Sequence, residues 1–382
     1  MILCMIAAGL GLTPADVDSR RLMATVRHLS TAWPNRNTNN PTCRDAAEWV
    51  ATEFRKIPGM QVELMPFRVE KGPRIRETKE VVQVVATLPG RSTRTILMGG
   101  HLDTIALPLP GWDVPSPGAN DDASGVAATL ECARLLARTE RENTLVFVAF
   151  TGEEQGLLGA RALAARAKAE KWDIVGVLNN DTVGSSASIS GRRNKREVRI
   201  FSAGEMPEGS TGSARELARW IEYETRGKVP GFGVKLVFRN DRFGRGGDHT
   251  PFQQAGYPAV RFTEAVEEYA RQHTSEDLAK YVDSRYLANV TRINLLALQS
   301  LAKAGPAPTR VRIDRAQSEN TRLTWTAQRG VRYRVYWRET LSPVWQGSKE
   351  VGETSEATLE GVHKDDHEFG VAATGGVPVP GL

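Results

Sequence analysis

Segments of strand length alternate with segments of helical period along most of this chain, and no other feature restricts its fold as much. Apolar residues recur at three- and four-residue spacing over 19–54 (Leu22, Val26, Leu29, then Ala46, Trp49, Val50, Phe54), which predicts two amphipathic helices framing a polar loop, 34–41, near a cleft. Residues 61–69, 81–88 and 95–98 read as strands and 123–137 as a helix. Residues 144–150 read as a strand buried on both faces, 156–168 as a helix and 174–178 as a strand. Such alternation builds an α/β fold around a mixed, mainly parallel sheet flanked by helices, with ligands collecting beyond the carboxyl ends of the strands. A helix over 286–304 precedes the linker 305–309, after which short alternating runs at 310–313, 321–326, 331–338, 357–359 and 368–373 predict an all-β sandwich. The expected organisation is a leader over 1–18, an α/β unit over 19–304 and the sandwich over 310–382.

At 40% apolar and 25% charged, the 382 residues exclude a disordered or fibrous chain. A net charge of +5 spread along the chain excludes a nucleic-acid footprint, and Arg192-Arg193-Asn194-Lys195-Arg196 reads as a solvated loop. No apolar run approaches the ~20 residues that cross a bilayer. The opening Met1 to Leu12 lacks the positive charges that precede a signal-peptide core, so it reads either as a signal peptide with a shortened start or as a buried first segment. Cys4, Cys43 and Cys132 outline neither a disulfide framework nor a thiolate metal site and leave the redox compartment open.

The chemistry lies in polar motifs expected at strand ends: His101 with Asp103, Asp121 with Asp122, Glu153 with Glu154, and Asp181, joined by His273. Each carboxylate pair is read as following an apolar strand, which gathers the acids at one edge of the sheet. Several like charges share a site only around a compensating cation. Imidazole and carboxylate donors favour zinc, and five ligands exceed what one tetrahedral ion needs, so two Zn2+ ions bridged by one carboxylate fit the set.

These residues resemble the di-zinc aminopeptidases of metallopeptidase family 28, the leucyl aminopeptidase-like branch of a group that includes carboxypeptidases and glutaminyl cyclases. The resemblance covers 21–301 and rests on Gly100-His101-Leu102-Asp103, Gly118-Ala119-Asn120-Asp121-Asp122-Ala123-Ser124-Gly125, Thr151-Gly152-Glu153-Glu154-Gln155-Gly156-Leu157-Leu158-Gly159, Asn180-Asp181, Asp248-His249 and His273-Thr274. It implies that His101 and Asp181 bind one zinc, Glu154 and His273 the other, and Asp121 both. A hydroxide shared by the ions would then attack the peptide, with Glu153 as general base. Asp103 is expected to hydrogen-bond the second imidazole nitrogen of His101. The Asp121-Asp122 peptide is expected to be cis.

The segment 242–249 departs from the pattern, because Gly244 stands where some family aminopeptidases carry a Tyr that polarises the scissile carbonyl. Arg245 or His249 is the expected substitute. An Arg at 242 or 245 that instead forks a substrate α-carboxylate would make the enzyme a carboxypeptidase or dipeptidase. A non-catalytic binding protein is the alternative from another class, set against five intact ligand positions and Glu153. Peptides are the expected substrates, and oligomeric state and side-chain preference are not legible.

The carboxyl-terminal segment resembles a fibronectin type III module, with Trp325 placed inside by alternation and His367 where a core-capping Tyr is usual. His363 and His367, near Asp365 and Asp366, read as surface groups. Such modules accompany exported enzymes, which points to a secreted or periplasmic location.

Overall fold

The structure, a computed structural model, describes residues 12–203, 212–242 and 245–382. Most of the leader expected over 1–18, together with Cys4, lies outside these residues, as does Gly244. No helix among the described residues is long and apolar enough to cross a membrane.

Helix α1 (Ser19–Ala32) starts where the Asp18 side chain accepts the Arg20 N–H, and it buries Leu22, Met23, Val26 and Leu29 on one face. Helix α2 (Pro41–Arg55) has Pro in its first turn and buries Ala46, Ala47, Val50, Ala51 and Phe54. The middle of the polar loop between them, residues 36–39, is buried. Its Arg36 guanidinium donates to the carbonyls of Leu29, Trp33, Leu102, Pro117 and Gly118, tying the loop to two segments that lead to the site.

Eight strands form one sheet in the order β1-β2-β4-β3-β5-β8-β6-β7. They are β1 (Gln61–Val69), β2 (Lys79–Leu88), β3 (Thr95–His101), β4 (Thr144–Phe150), β5 (Ile174–Asn180), β6 (Glu197–Phe201), β7 (Gly233–Val237) and β8 (Ala259–Glu264). The four central strands β4, β3, β5 and β8 are mutually parallel, and antiparallel pairs β1-β2, β2-β4 and β6-β8 flank them, which is the mixed sheet expected. One face packs on α1, α2, α3 (Ala123–Leu136), α5 (Ser213–Thr225) and α7 (Ser284–Lys303), and the other on α4 (Leu158–Ala169) and α6 (His249–Gln254). Helix α4 begins two residues later than periodicity suggests, because Gly156 (φ +126°) and Leu157 (φ +61°) turn the chain first.

Beyond Ala304 the chain forms a three-stranded sheet, β9 (Thr309–Ile313), β10 (Thr321–Thr326) and β13 (Glu356–Leu359). It also forms a four-stranded one, β11 (Tyr333–Glu339), β12 (Gly347–Gly352), β14 (His367–Ala373) and β15 (Val379–Pro380). Leu323, Trp325, Tyr333, Val335, Phe369 and Val371 fill the space they share. Tyr336 and Trp345 instead join the large core, with the Tyr223 ring of α5 edge-on to Tyr336 at 5.4 Å.

Candidate metal centre

The four parallel strands end on one edge, and three of them deliver polar groups there. His101 is the last residue of β3, Asp181 directly follows β5, and Glu153 and Glu154 lie in the turn after β4. Asp121 and Asp122 correct the expectation that every carboxylate pair follows a strand. The segment before them carries Pro108, Pro110, Pro115 and Pro117 and forms no strand, so the pair arrives through this loop at the start of α3, where Asp122 is the N-cap. The Asp122 carboxylate accepts N–H groups from Gly125 (2.9 Å), His101 (3.0 Å) and Thr182 (3.2 Å), joining the helix start to the ends of β3 and β5. Gly100 permits this approach: a Cβ there would lie 2.7 Å from Asp122 Oδ2. The Asp121-Asp122 peptide is cis.

His273 comes from the segment between β8 and α7 and has a left-handed backbone (φ +61°). Its carbonyl is held by the Leu107 N–H at 3.0 Å. The Asp121 carboxylate lies between the two imidazoles. Oδ1 is 2.9 Å from His101 Nε2, and Oδ2 is 3.1 Å from His273 Nε2. Asp181 Oδ1 lies 3.8 Å from His101 Nε2, and Glu154 Oε1 lies 3.0 Å from His273 Nε2. Two clusters result, His101-Asp121-Asp181 and Asp121-Glu154-His273, each with ligand atoms within 4.8 Å of one another. Glu153 forms a third such group with His101 and Glu154 and is the more exposed of the two glutamates.

These residues fit a divalent cation. Asp181 Oδ1 is buried without a hydrogen bond, which is costly unless something else satisfies it. Burial, with neighbouring carboxylates, pushes Glu153 up to about 8 and Asp103 up to about 6, and lifts Asp122 and Asp248 well above the carboxylate range. Burial opposes charge on His273, yet Glu154 and Asp121 outweigh it and lift the ring to about 11. His101 is raised in the same sense by Asp121 and Asp181.

Asp103 departs from its expected role. It is the Asp103 backbone carbonyl that meets His101 Nδ1, at 3.0 Å, while the side-chain Oδ1 lies 4.0 Å away. The carboxylate accepts the N–H groups of Gly152 (2.7 Å), Glu153 (3.1 Å) and Glu154 (3.1 Å) instead. It therefore fixes the backbone of the turn that carries the two glutamates.

The segment after β7 separates the three substrate-binding candidates. Arg242 approaches Asp241 at 3.4 Å and Glu267 at 3.8 Å, lies over the Tyr269 ring and is exposed. Arg245 approaches Asp241 at 4.0 Å and feels the charges of Asp181, Asp121 and Glu153, which outweigh burial and Arg261 in holding it protonated. His249 is buried at the start of α6, and burial with Arg261 beside it drops its pKa to about 3, so the ring is neutral. Sequence reasoning missed Gln272, whose Nε2 donates to Asp121 Oδ2 at 2.6 Å, and Arg261, whose Nη2 lies 3.1 Å from Asp181 Oδ2. It also missed Asp277, which accepts the N–H groups of Asn120 and Asp121 at 2.9 Å. Adjacency to His273 was the one available signal, for Gln272.

Residues 83–298 match the model of Peptidase family M28. A protein of Leptosphaeria maculans described as a probable zinc metalloprotease is 36% identical over 364 residues, covering 86% of this chain and 84% of its own. Another so described, from Pyrenophora teres f. teres, is 34% identical over 401 residues, covering 94% and 83%. The fold is shared with the LapA aminopeptidase of Legionella pneumophila (TM-score 0.60, 20% identity, 77% of this chain and 73% of that one). It is also shared with a zinc aminopeptidase of Bacillus subtilis (TM-score 0.61, 16% identity, 75% and 96%). The chain belongs to peptidase family M28.

Proposed function

We propose that this protein is a zinc-dependent aminopeptidase that holds two zinc ions, one between His101, Asp121 and Asp181 and the other between Asp121, Glu154 and His273. The observation that carries this reading is the Asp121 carboxylate, whose two oxygens face two separate sets of imidazole and carboxylate donors. When bound, such ions acidify water and polarise a carbonyl. Glu153 takes the proton of the attacking water and delivers it to the leaving amine, its backbone fixed by Asp103 and its side chain beside His101. Arg245 stabilises charge that develops on the carbonyl oxygen. Relatives described as zinc metalloproteases and structural neighbours that are aminopeptidases support the reading.

A cavity beside Asp121 favours the amino end of a peptide. It holds about 20 Å³, room for one small group, and its walls include Asn120, Asp121, Glu264, Glu267, Glu268 and Asp277 together with Arg271, which pairs with Glu268 at 3.0 Å. Glu267 Oε2 has no hydrogen bond there. A substrate α-ammonium suits these walls better than a carboxylate does. Arg242 and Arg245 favour the second reading, a carboxypeptidase or dipeptidase of the same family.

The three- and four-stranded sheets around a buried Trp325 support reading 310–382 as a fibronectin type III-like attachment module of an exported enzyme.

Mass spectrometry of an unblocked peptide and its N-acetylated twin, each incubated with zinc-loaded and chelator-treated protein, tests the reading. Stepwise loss from the free amino end, stopped by acetylation and by chelation, is the expected result. Trimming from the carboxyl end would replace it with the second reading and give Arg245 the α-carboxylate.

A further inference from the structure

Strand β2 runs antiparallel to β4, and Val84 pairs with Ala149. Counting back along that register sets Lys79 level with Glu154, so the β1-β2 loop, residues 70–78, projects past the same edge that carries the metal centre. The loop is held in place. The Asn39 side chain, buried in the α1-α2 loop, donates to the Arg74 carbonyl at 2.9 Å and accepts the Arg76 N–H at 2.6 Å. Gly72 and Ile75 exchange backbone hydrogen bonds, and Ile75 joins Phe67 and Val69 in a buried cluster. The Arg76 guanidinium stacks on Trp112 and binds both Asp113 oxygens, at 2.8 and 2.9 Å. Arg74 differs from it. Its side chain is exposed, Nη1 donates to the Glu154 carbonyl at 2.5 Å, and among the described residues it forms no ion pair.

We infer that Arg74 is a specificity-determining residue that binds a carboxylate on the leaving side of the substrate. The inference rests on the aminopeptidase reading, in which the α-ammonium enters the cavity walled by Glu264, Glu267 and Glu268. Glu264 ends β8 and Glu154 follows β4, and the strand order β4-β3-β5-β8 puts three strand spacings between them. At ~4.8 Å per spacing that is about 14 Å. An extended peptide advances roughly 3.5 Å per residue, so a substrate that crosses the metal centre brings its third or fourth residue to Arg74. The direction agrees with Glu153, which hands its proton to the leaving amine from the same turn as Glu154. A guanidinium carried on a fixed loop recognises a carboxylate without first being ordered. The chain-terminal carboxylate of a short peptide and an acidic side chain at that place both present this chemistry.

Kinetics of the zinc-loaded protein on two peptide pairs test this. One pair is a tetrapeptide and its carboxyl-terminal amide, and the other is a hexapeptide amide with Asp or with Asn at position 4. Each is otherwise alanine behind an amino-terminal residue that wild type removes. Wild type is expected to prefer the negatively charged member by about three- to tenfold in kcat/KM, chiefly through KM, and to lose the preference as salt is raised. Arg74→Gln should bring the ratio to one and Arg74→Glu should invert it, whereas Arg74→Lys keeps part of it. A role confined to supporting the Glu154 carbonyl would lower all four rates together and leave the ratios alone. Preference in the tetrapeptide pair only assigns Arg74 the chain terminus, and in the hexapeptide pair only an acidic side chain; either upholds the inference. Equal rates within both pairs in wild type, a comparison that needs no variant to fold, or a ratio that survives in Arg74→Gln would overturn it and leave the aminopeptidase reading intact. Trimming of these peptides from the carboxyl end would overturn both.

Discussion

Asp121→Ala is expected to release both zinc ions and to lower turnover by at least about a thousandfold. The magnitude follows from the several kcal/mol that metal ions contribute to a peptide-cleaving transition state, at ~1.4 kcal/mol per factor of ten. No other carboxylate takes over, because among the described residues Asp121 alone pairs closely with both imidazoles: Asp181 approaches His101, and Glu154 approaches His273. The backbone at this point is held by Asp277 through the N–H groups of Asn120 and Asp121, so truncation of the side chain leaves the loop in place. Metal analysis after dialysis, with circular dichroism as the control for folding, reads the outcome. Retention of both ions by the variant would remove Asp121 from the bridging role.

Glu153→Ala produces the complementary result: both ions stay and turnover falls by roughly 10²- to 10⁴-fold, the usual contribution of a positioned general base. The two effects separate because of Asp103. Its carboxylate binds the backbone N–H groups of residues 152, 153 and 154, so the turn keeps its shape without the Glu153 side chain and Glu154 remains opposite His273. Turnover near the wild-type value would rule out Glu153 as the base, and simultaneous loss of metal would make it a ligand.

Much of this architecture is legible in the sequence because burial leaves a periodic trace. Strand 144–150 reads as a fully buried strand and proves almost wholly buried, and the 22/26/29 spacing of α1 lies on its inner face. Strand β8 is hidden for an electrostatic reason. Arg261, Thr263 and Glu264 in six residues look like a surface segment, yet Asp181 and Asp241 neutralise the arginine and Asn120 and Ser185 bond the glutamate, so the whole strand is interior. Strand β12 is hidden because it is a largely polar edge strand, and its Gly347 lies where a Cβ would be 2.2 Å from the Trp337 ring.

The ligand candidates stand out as single residues, whereas their geometry does not. Asp103 two residues beyond His101 is compatible with either its side chain or its carbonyl meeting the ring, and only the folded turn shows that the carbonyl does. Asp121 and Asp122 resemble the strand-end pairs in composition but serve a helix start, since proline-rich chain precedes them. Arg261 lies 80 residues from Asp181, and no local pattern connects the two.

The central claim is that two zinc ions share Asp121. Anomalous X-ray diffraction from zinc-saturated crystals, recorded above and below the zinc absorption edge, tests it most directly. The account predicts two peaks, one among His101, Asp121 and Asp181 and one among Asp121, Glu154 and His273. A single peak, or peaks that leave Asp121 uncoordinated, would contradict it.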